Sequence, residues 1–590
     1  MKVIKIKELI RWIKEKTTQK QFILFSSVLV GLSAGIVAVI LKSLIHFILN
    51  YLGDLKFLNS KFLIACLPIV GILLTVLVIH FFLKNKIEKG VSSLHRRIKK
   101  NSSNLPKEQM YDQVITSSLT VGFGGSAGIE APILLTGAAF GSNYSKTYKL
   151  NYNDRSLLLA CGIAGGIGAA YNAPIAGVLF ALEALLLEIS ITAFIPLILA
   201  AASGALVSKI ILHGDVLFSF TDVVPFNYNY TFFYLILGIL SGFLSVYHLR
   251  VFVKVEEIFQ KMKVNKYFKV FLGGFILACL ILLFPSFFGE GMNFVKALSS
   301  DNTSYLHQNS ILSNFILNDW YLLLFILGII LLKPIATALT IGSGGNGGNF
   351  APSLFVGAFL GFLAAKILNL GFDIDVSVAN FTLVGMAGVL SGLYHAPLTS
   401  IFLIAEITGG YTLMIPLMIV SSISYAISKY FEPYSMDTKK LVQEDEIFSS
   451  SKDAVLLNSI EIEKLISKDF QAISEEMTLF ELILIIKKSD KNVFPVLNYD
   501  SNLKGLIFLD NIKEYLFTKE KYNSIKVRDL MEKVKEHANI DENMNSILSK
   551  FEKNNFWVLP VIEHNKFIGF IHKSAVLTEY RNNLINITIE

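Results

Sequence analysis

The sequence predicts an all-α polytopic membrane protein with pseudo-symmetric inverted repeats and broken helices, followed by a small α/β cytoplasmic tail. Three observations carry that expectation. Of 590 residues, 53% are hydrophobic and only 17% charged, with a mean hydropathy of +0.55, which is too apolar for an ordinary soluble chain. A glycine-rich segment beginning at Leu119 recurs at Leu339. The charges are segregated into residues 1–20, a few loops and everything after about Met436.

Residues 1–20 form a basic N-terminus. The apolar run after it is too long for a signal-peptide core and lacks a small-residue cleavage site, so it reads as a retained first span. Phe22 to Leu49 and Phe62 to Leu83 both meet the roughly 20 residues needed to cross a bilayer. The next loop is crowded with Lys84, Lys86, Lys89, Arg96, Arg97, Lys99 and Lys100; Lys254 to Lys269 and the pair Lys439 and Lys440 are further basic patches. The positive-inside rule then puts both termini in the cytoplasm, with residues 21–435 in a cell (plasma or inner) membrane and 436–460 as a linker. The same distribution accounts for the net charge of +7 without nucleic acid, because the cations flank spans and form no stripe with aromatics. Cys66, Cys161 and Cys279 lie far apart in apolar sequence, with no metal or disulfide spacing, and read as buried packing residues.

The internal repeat decides most of the functional reading. LTVGFGGSAGIEAPILLTGAAFG (Leu119 to Gly141) aligns with LTIGSGGNGGNFAPSLFVGAFLG (Leu339 to Gly361) at 12 of 23 positions, and GAAYNAPIAGVLFALE (Gly168 to Glu183) aligns with SGLYHAPLTSIFLIAE (Ser391 to Glu406). Repeated halves in a membrane protein place a binding site at their interface. Each first segment turns helical around a proline, Pro132 or Pro352, which suits the first turn of a helix restarting inside the membrane. Such a start offers uncovered N–H groups and partial positive charge, so two converging starts make a site for a small anion. The halves differ at Glu130, whose counterpart is Phe350. An ionisable group at that depth is a functional candidate. Its carboxylate is itself an anion that competes for the helix starts, and protonation removes the competitor. No lysine or arginine lies in the apolar sequence around Glu130, which argues against a structural ion pair.

These motifs bring the chain to a family: it resembles the CLC chloride channels and chloride/proton antiporters over essentially all of residues 20–440. Gly128-Ile129-Glu130-Ala131-Pro132 resembles the G-x-E-x-P gating motif, and Gly348-Asn349-Phe350-Ala351-Pro352 the G-x-F-x-P motif. The resemblance implies that Glu130 is the gate, that the anion binds at these two segments with Asn349 and Phe350 foremost, and that Tyr434 closes the inner side. It also implies a homodimer with a pathway in each subunit. Two positions depart from the family pattern. Where the family has an inner G-S-G-I-P loop this chain reads Glu88-Lys89-Gly90-Val91-Ser92-Ser93. Lys89 then stands at the anion-binding serine, with Ser92 serving if the register shifts. The inner proton-transfer glutamate of many family antiporters aligns with Ala184, beside Glu183. Glu183 is a candidate for a proton path or, with its repeat partner Glu406, for a structural role, and voltage- or pH-gated channel and antiporter both stay open.

From about Glu461, short β-rich runs alternate with charged helices and repeat once: Asn492 to Leu497 and Gly505 to Phe508 match Phe556 to Ile562 and Gly569 to His572. This resembles a tandem CBS pair, 461–520 and 526–583. Such pairs commonly bind adenine nucleotides through an aspartate, at whose positions this chain has Asn511 and Ala575, with Phe508 and His572 replacing hydroxyl residues. A nucleotide site at Asn511 and a purely structural dimerisation module are both compatible with these residues. No other cofactor is expected. His395 and His572 stand in no cluster and read as core or surface residues, so no metal is expected. An intramembrane enzyme would need a nucleophile and base or a ligand set on facing spans, and no HExxH, aspartate pair or Ser/His combination is present, so no catalytic residue is assigned. A cation transporter would need several intramembrane carboxylates.

Overall fold

The computed structural model describes residues 6–54, 60–84, 87–100, 103–183, 193–212, 223–299, 303–316, 318–443, 460, 462–498, 500–516, 518–540, 542, 544–553, 556–563 and 566–589. The chain divides into two compact units, Met1–Glu446 and Ile447–Glu590. Ala184, where the family's inner glutamate would fall, lies outside the described residues.

The first unit is helical: α1 (Ile6–Lys16), α2 (Gln19–Gly53), α3 (Lys61–Phe81), α4 (Val91–Lys100), α5 (Asp112–Gly122), α6 (Glu130–Thr147), α7 (Tyr152–Tyr171), α8 (Pro174–Glu183), α9 (Phe194–Ile211), α10 (Thr231–Lys261), α11 (Lys266–Leu283), α12 (Met292–Ser299), the one-turn α13 (Ser304–His307), α14 (Asp319–Gly342), α15 (Phe350–Gly371), α16 (Val378–Tyr394), α17 (Pro397–Ile407), α18 (Met414–Phe431) and α19 (Met436–Gln443). Among the described residues eight helices are long and apolar enough to cross a membrane. The first two, α2 and α3, cover the spans expected from hydropathy. The capping box of α2, in which Thr18 accepts from Gln21 N and the Gln21 side chain accepts from Thr18 N, satisfies the first orphan amides at the edge of the apolar run.

The repeat is conformational as well as textual. In α7 and α16 the chain ends in the left-handed region, at Asn172 (φ 53°) and His395 (φ 56°), and the short helices α8 and α17 follow. Helices α6 and α7 pack as α15 and α16 do, through small residues. Without a hydrophobic driving force between spans in lipid, close approach of this kind supplies the association energy. Only Cys161 of the three cysteines is buried; Cys66 and Cys279 are exposed on α3 and α11. Their apolar surroundings in sequence are the outward faces of spans.

The second unit holds two α/β modules. In the first, α20 (Leu479–Lys488) precedes an antiparallel hairpin of β1 (Val493–Leu497) and β2 (Leu503–Phe508). In the second, the short β3 (Ala538–Asn539) runs parallel to β4 (Val558–Glu563), which pairs antiparallel with β5 (Lys566–His572); α21 (Met544–Lys553) lies between β3 and β4, and α22 (Lys573–Ile589) follows β5. The two hairpins carry a bulge at equivalent places, after Val496 and after Val561. The modules exchange leading segments: Ser467 bonds to Phe570 of β5, and Glu532 bonds to Leu506 of β2. Leu506, Phe567 and Phe570 form a shared apolar cluster.

Within the second module Glu542, two residues before α21, accepts from Asn539 N (3.1 Å), the Ser546 hydroxyl and Lys550 Nζ (2.8 Å). Burial pushes its carboxyl up, but the Lys550 ammonium, the Ser546 hydroxyl and the Asn539 amide together hold it below the ordinary carboxylate value. A depressed folded pKa contributes stability that is present above the unfolded value of about 4.3 and is lost as pH falls through the folded one. Glu542→Gln is therefore expected to speed hydrogen exchange across residues 538–553 at pH 7, with the difference from wild type closing at pH values below about 4.

Candidate anion site

The site is built from two backbone turns. After α5 the chain reverses at Gly124 (φ +90°), and after α14 it reverses at Gly344 (φ +120°). Only glycine adopts these angles without strain. Gly125 N donates to Thr120 O and Gly345 N to Thr340 O, at 2.9 and 3.0 Å. The turns then grip each other. Ser126 N donates to Thr340 Oγ1 (3.1 Å) and Asn346 N to Thr120 Oγ1 (3.0 Å), while Gly128 and Gly348 exchange two backbone hydrogen bonds of 2.8 and 2.7 Å in an antiparallel bridge. Helices α6 and α15 start immediately beyond that bridge, so the two positive helix ends lie side by side at the junction of the repeats.

Glu130, at the first position of α6, is 3% exposed. Its carboxylate reaches across the junction: Ala351 N, in the first turn of α15, donates to Oε2 (3.3 Å), and the Tyr171 hydroxyl donates to Oε1. A Cβ on Gly128 would lie 2.2 Å from Oε2, so that position must be glycine for the carboxylate to sit there. The Phe350 ring, at the matching position of the other repeat, packs against Tyr171, Phe180 and Tyr394 with centroids 5.4–5.9 Å apart.

A cavity of about 70 Å³ opens beside these helix starts, above the ~10–15 Å³ that holds one water. Of the residues expected at the anion, Lys89, Ala131, Gly348, Asn349 and Phe350 line it, as does Ser92. Gly128, Ile129 and Ala351 belong to the bridge and the two helix starts beside it. Tyr434 is 43% exposed and does not line the cavity. It follows the end of α18, where the chain turns at Pro433, and the cavity wall is filled instead by Tyr394 and Met436. Lys89 lines the cavity, yet its ammonium donates to Gly344 O (2.7 Å) and Gly345 O (3.0 Å), carbonyls just beyond the C-terminus of α14, where a cation is favoured. Glu256 and Lys440 form an ion pair among the same lining residues, beside Asp437.

Tertiary packing also supplies cations that the surrounding sequence lacks. Lys333 of α14 is fully buried; its ammonium donates to Ser126 Oγ (2.9 Å) and sits over the Phe355 ring, 4.6 Å from the centroid. Lys42 of α2 donates to the Ala170 carbonyl and is an electrostatic neighbour of Glu130 and Glu290. Glu290 accepts from the Ile129 amide. Glu130 itself is held by a hydroxyl and an amide, with no ion pair among the described residues. Lys42, Lys333, Glu290 and Tyr171 stand outside the Gly-x-x-Ala-Pro repeat, so motif reasoning misses them. Two signals are present in sequence: Tyr171 recurs as Tyr394 in the second repeated segment, and Lys42 and Lys333 interrupt apolar runs, where a lone charge at membrane depth is costly enough to mark a functional candidate.

Residues 70–429 match the voltage gated chloride channel family, and residues 462–518 and 527–582 each match the CBS domain. This chain belongs to the voltage-gated chloride channel (CLC) family. It is 31% identical over 317 residues, 53% of its length, to the voltage-gated ClC-type chloride channel ClcB of Escherichia coli strains UMN026 and SMS-3-5, covering 71% of those proteins. Among solved structures it is similar to a slow cyanobacterial Cl⁻/H⁺ antiporter (TM-score 0.61, 22% identity, 72% of this chain and 98% of that one) and to a eukaryotic CLC transporter (TM-score 0.60, 17% identity, 94% and 97%).

In the CLC unit Glu183 and Glu406 make a reciprocal pair of caps. Glu183, the last residue of α8, accepts from Leu398 N (3.0 Å) and Thr399 N (2.7 Å) at the start of α17; Glu406, near the end of α17, accepts from Ile175 N and Ala176 N (both 2.9 Å) at the start of α8. In the CBS unit a cleft of about 30 Å³ is lined by Phe508, Glu532, Lys533, Lys535 and Pro560 among others. Asn511 does not line it; its Nδ2 donates to Glu532 Oε1 (3.0 Å). Glu183→Ala is expected to leave two helix-start amides unpaired and to destabilise the CLC unit by roughly 1–2 kcal/mol, seen as a lower unfolding temperature in detergent, while the pH response of anion flux stays as in wild type.

Proposed function

We propose that this chain carries chloride across a cell membrane along the junction of its two repeats, with Glu130 as the gate. The carrying observation is the hydrogen bond from Ala351 N to the Glu130 carboxylate: the gate's own anion takes a helix-start amide that a passing anion would need. Chloride and the carboxylate compete for that donor. When Glu130 is protonated its attraction for the amide and for the positive helix ends falls, and chloride takes its place. Tyr171 holds the carboxylate in the blocked position, and the buried Lys333 and half-buried Lys42 keep the junction favourable to anions. Lys89 and Lys440 also line the cavity, where Glu256 and Asp437 balance their charge.

Glu183 acts as the cap of α17 and not as a proton carrier, since both of its oxygens are taken up by that helix. Proton movement therefore centres on Glu130. A homodimer with a separate pathway in each subunit fits a site whose residues all come from one chain, and the basic loops put the N-terminus and the CBS unit on the cytoplasmic side. The CBS pair regulates transport, with an adenine nucleotide as its ligand class; Lys533 and Lys535 in the cleft suit its phosphates.

The test is Glu130→Gln, which removes the charge and keeps the size. In liposomes chloride efflux is expected to persist, to lose most of its dependence on external pH, and to proceed without coupled proton uptake. Wild-type pH dependence with continued proton uptake in that variant would falsify the gating role.

A further inference from the structure

Asn349 stands at the cap of α15, yet its side chain makes no capping bond. An asparagine in that place ordinarily turns its carbonyl oxygen onto the amides of the first turn. Here Oδ1 turns to Nε2 of His248 on α10, 3.0 Å away. An amide oxygen can only accept, so His248 carries its proton on Nε2. His248 is fully buried and Asn349 is 5% exposed. Asn349 therefore covers none of the first-turn amides, of which Ala351 N donates to Glu130 instead, and the other end of its carboxamide is open: Asn349 Nδ2 is buried without a hydrogen-bond partner, on a residue that lines the cavity. Buried donors are rarely left unpaired, because losing water without gaining an acceptor is costly. An anion in the cavity supplies the missing acceptor.

We propose that Asn349 donates a side-chain N–H to the transported anion, and that His248 is the positioning residue that keeps the NH₂ end, not the oxygen, turned to the pathway. This rests on the reading of the junction as a chloride path. It also gives the two halves complementary tasks. The first repeat has Ile129 where the second has Asn349, and Glu130 where the second has Phe350, so one half brings the competing carboxylate and the other the extra donor. If the carboxamide were free to turn over, its oxygen would face the anion and repel it; the His248 proton prevents that. A charge-assisted bond of this kind favours an anion of high charge density, so the donor also sets a preference for chloride over iodide.

The test uses purified full-length protein, with chloride binding measured by calorimetry in detergent and chloride and iodide fluxes measured in liposomes. Asn349→Leu is expected to weaken chloride binding about tenfold, the scale of one charge-assisted hydrogen bond, and to bring the two fluxes close to parity. His248→Phe should reproduce most of that loss, and His248→Gln, which keeps an N–H for Oδ1, should recover most of it. The double variant Asn349→Leu/His248→Phe should bind no more weakly than Asn349→Leu alone, because both changes remove one interaction. Chloride affinity within twofold of wild type in Asn349→Leu overturns the proposal. So do losses that simply add in the double variant, or a His248→Phe protein that is less heat-stable but binds chloride normally. If the wild-type protein neither binds nor passes chloride, the chloride reading itself fails, and that result needs no variant.

Discussion

Two backbone hydrogen bonds between Gly128 and Gly348 hold the rest of the site in place. An antiparallel bridge of this kind leaves room for no side chain on the inner face, and it forces the helices on either side to start at the same depth. Helix starts are expensive to bury, since their first amides lack partners. Bringing two of them together in a membrane concentrates that unmet donor capacity at one point. The threonines two turns earlier, Thr120 and Thr340, brace the arrangement by bonding each to the opposite turn. The junction is therefore braced from both sides, and Glu130 is the ionisable side chain that reaches across it.

The electrostatics of the junction follow from that economy. Among the described residues no cation touches the Glu130 carboxylate directly; a hydroxyl and an amide do. A direct ion pair in a low-dielectric interior would hold the carboxylate tightly and make displacement by chloride costly. Two hydrogen bonds hold it less firmly, and Lys42 and Lys333 act from a distance on whichever anion is present. Lys333 is itself retained by Ser126 and an aromatic face, which orient its charge without neutralising it.

Both units satisfy their polar ends crosswise between repeats. Glu183 caps the second half's α17 and Glu406 caps the first half's α8; in the CBS unit the segment leading into each module pairs with the other module's hairpin. A repeat that lends its caps to its partner cannot be complete alone. Duplicated halves are thereby tied into one cooperative unit, by interactions that a single copy of either sequence could not make.

Class, repeat and the charged position at the junction were legible in the sequence. Apolar runs such as Phe22 to Leu49 report their preference for lipid locally, residue by residue. The repeated Gly-x-x-Ala-Pro segments report a backbone conformation that few other residues permit, and Glu130 is conspicuous as the charged member of an otherwise matched pair. The CBS hairpins repeat in the same local way. Tertiary structure alone decided the remainder. It brought Tyr394 and Met436 to the cavity wall, drew Lys42 and Lys333 toward the junction, paired His248 with Asn349 across 101 positions of chain, and set Glu183 against the start of α17, 215 residues away. Composition and periodicity encode how a segment partitions and bends; which side chains then meet across hundreds of residues depends on the rotation and depth of each packed helix, and no local pattern records those.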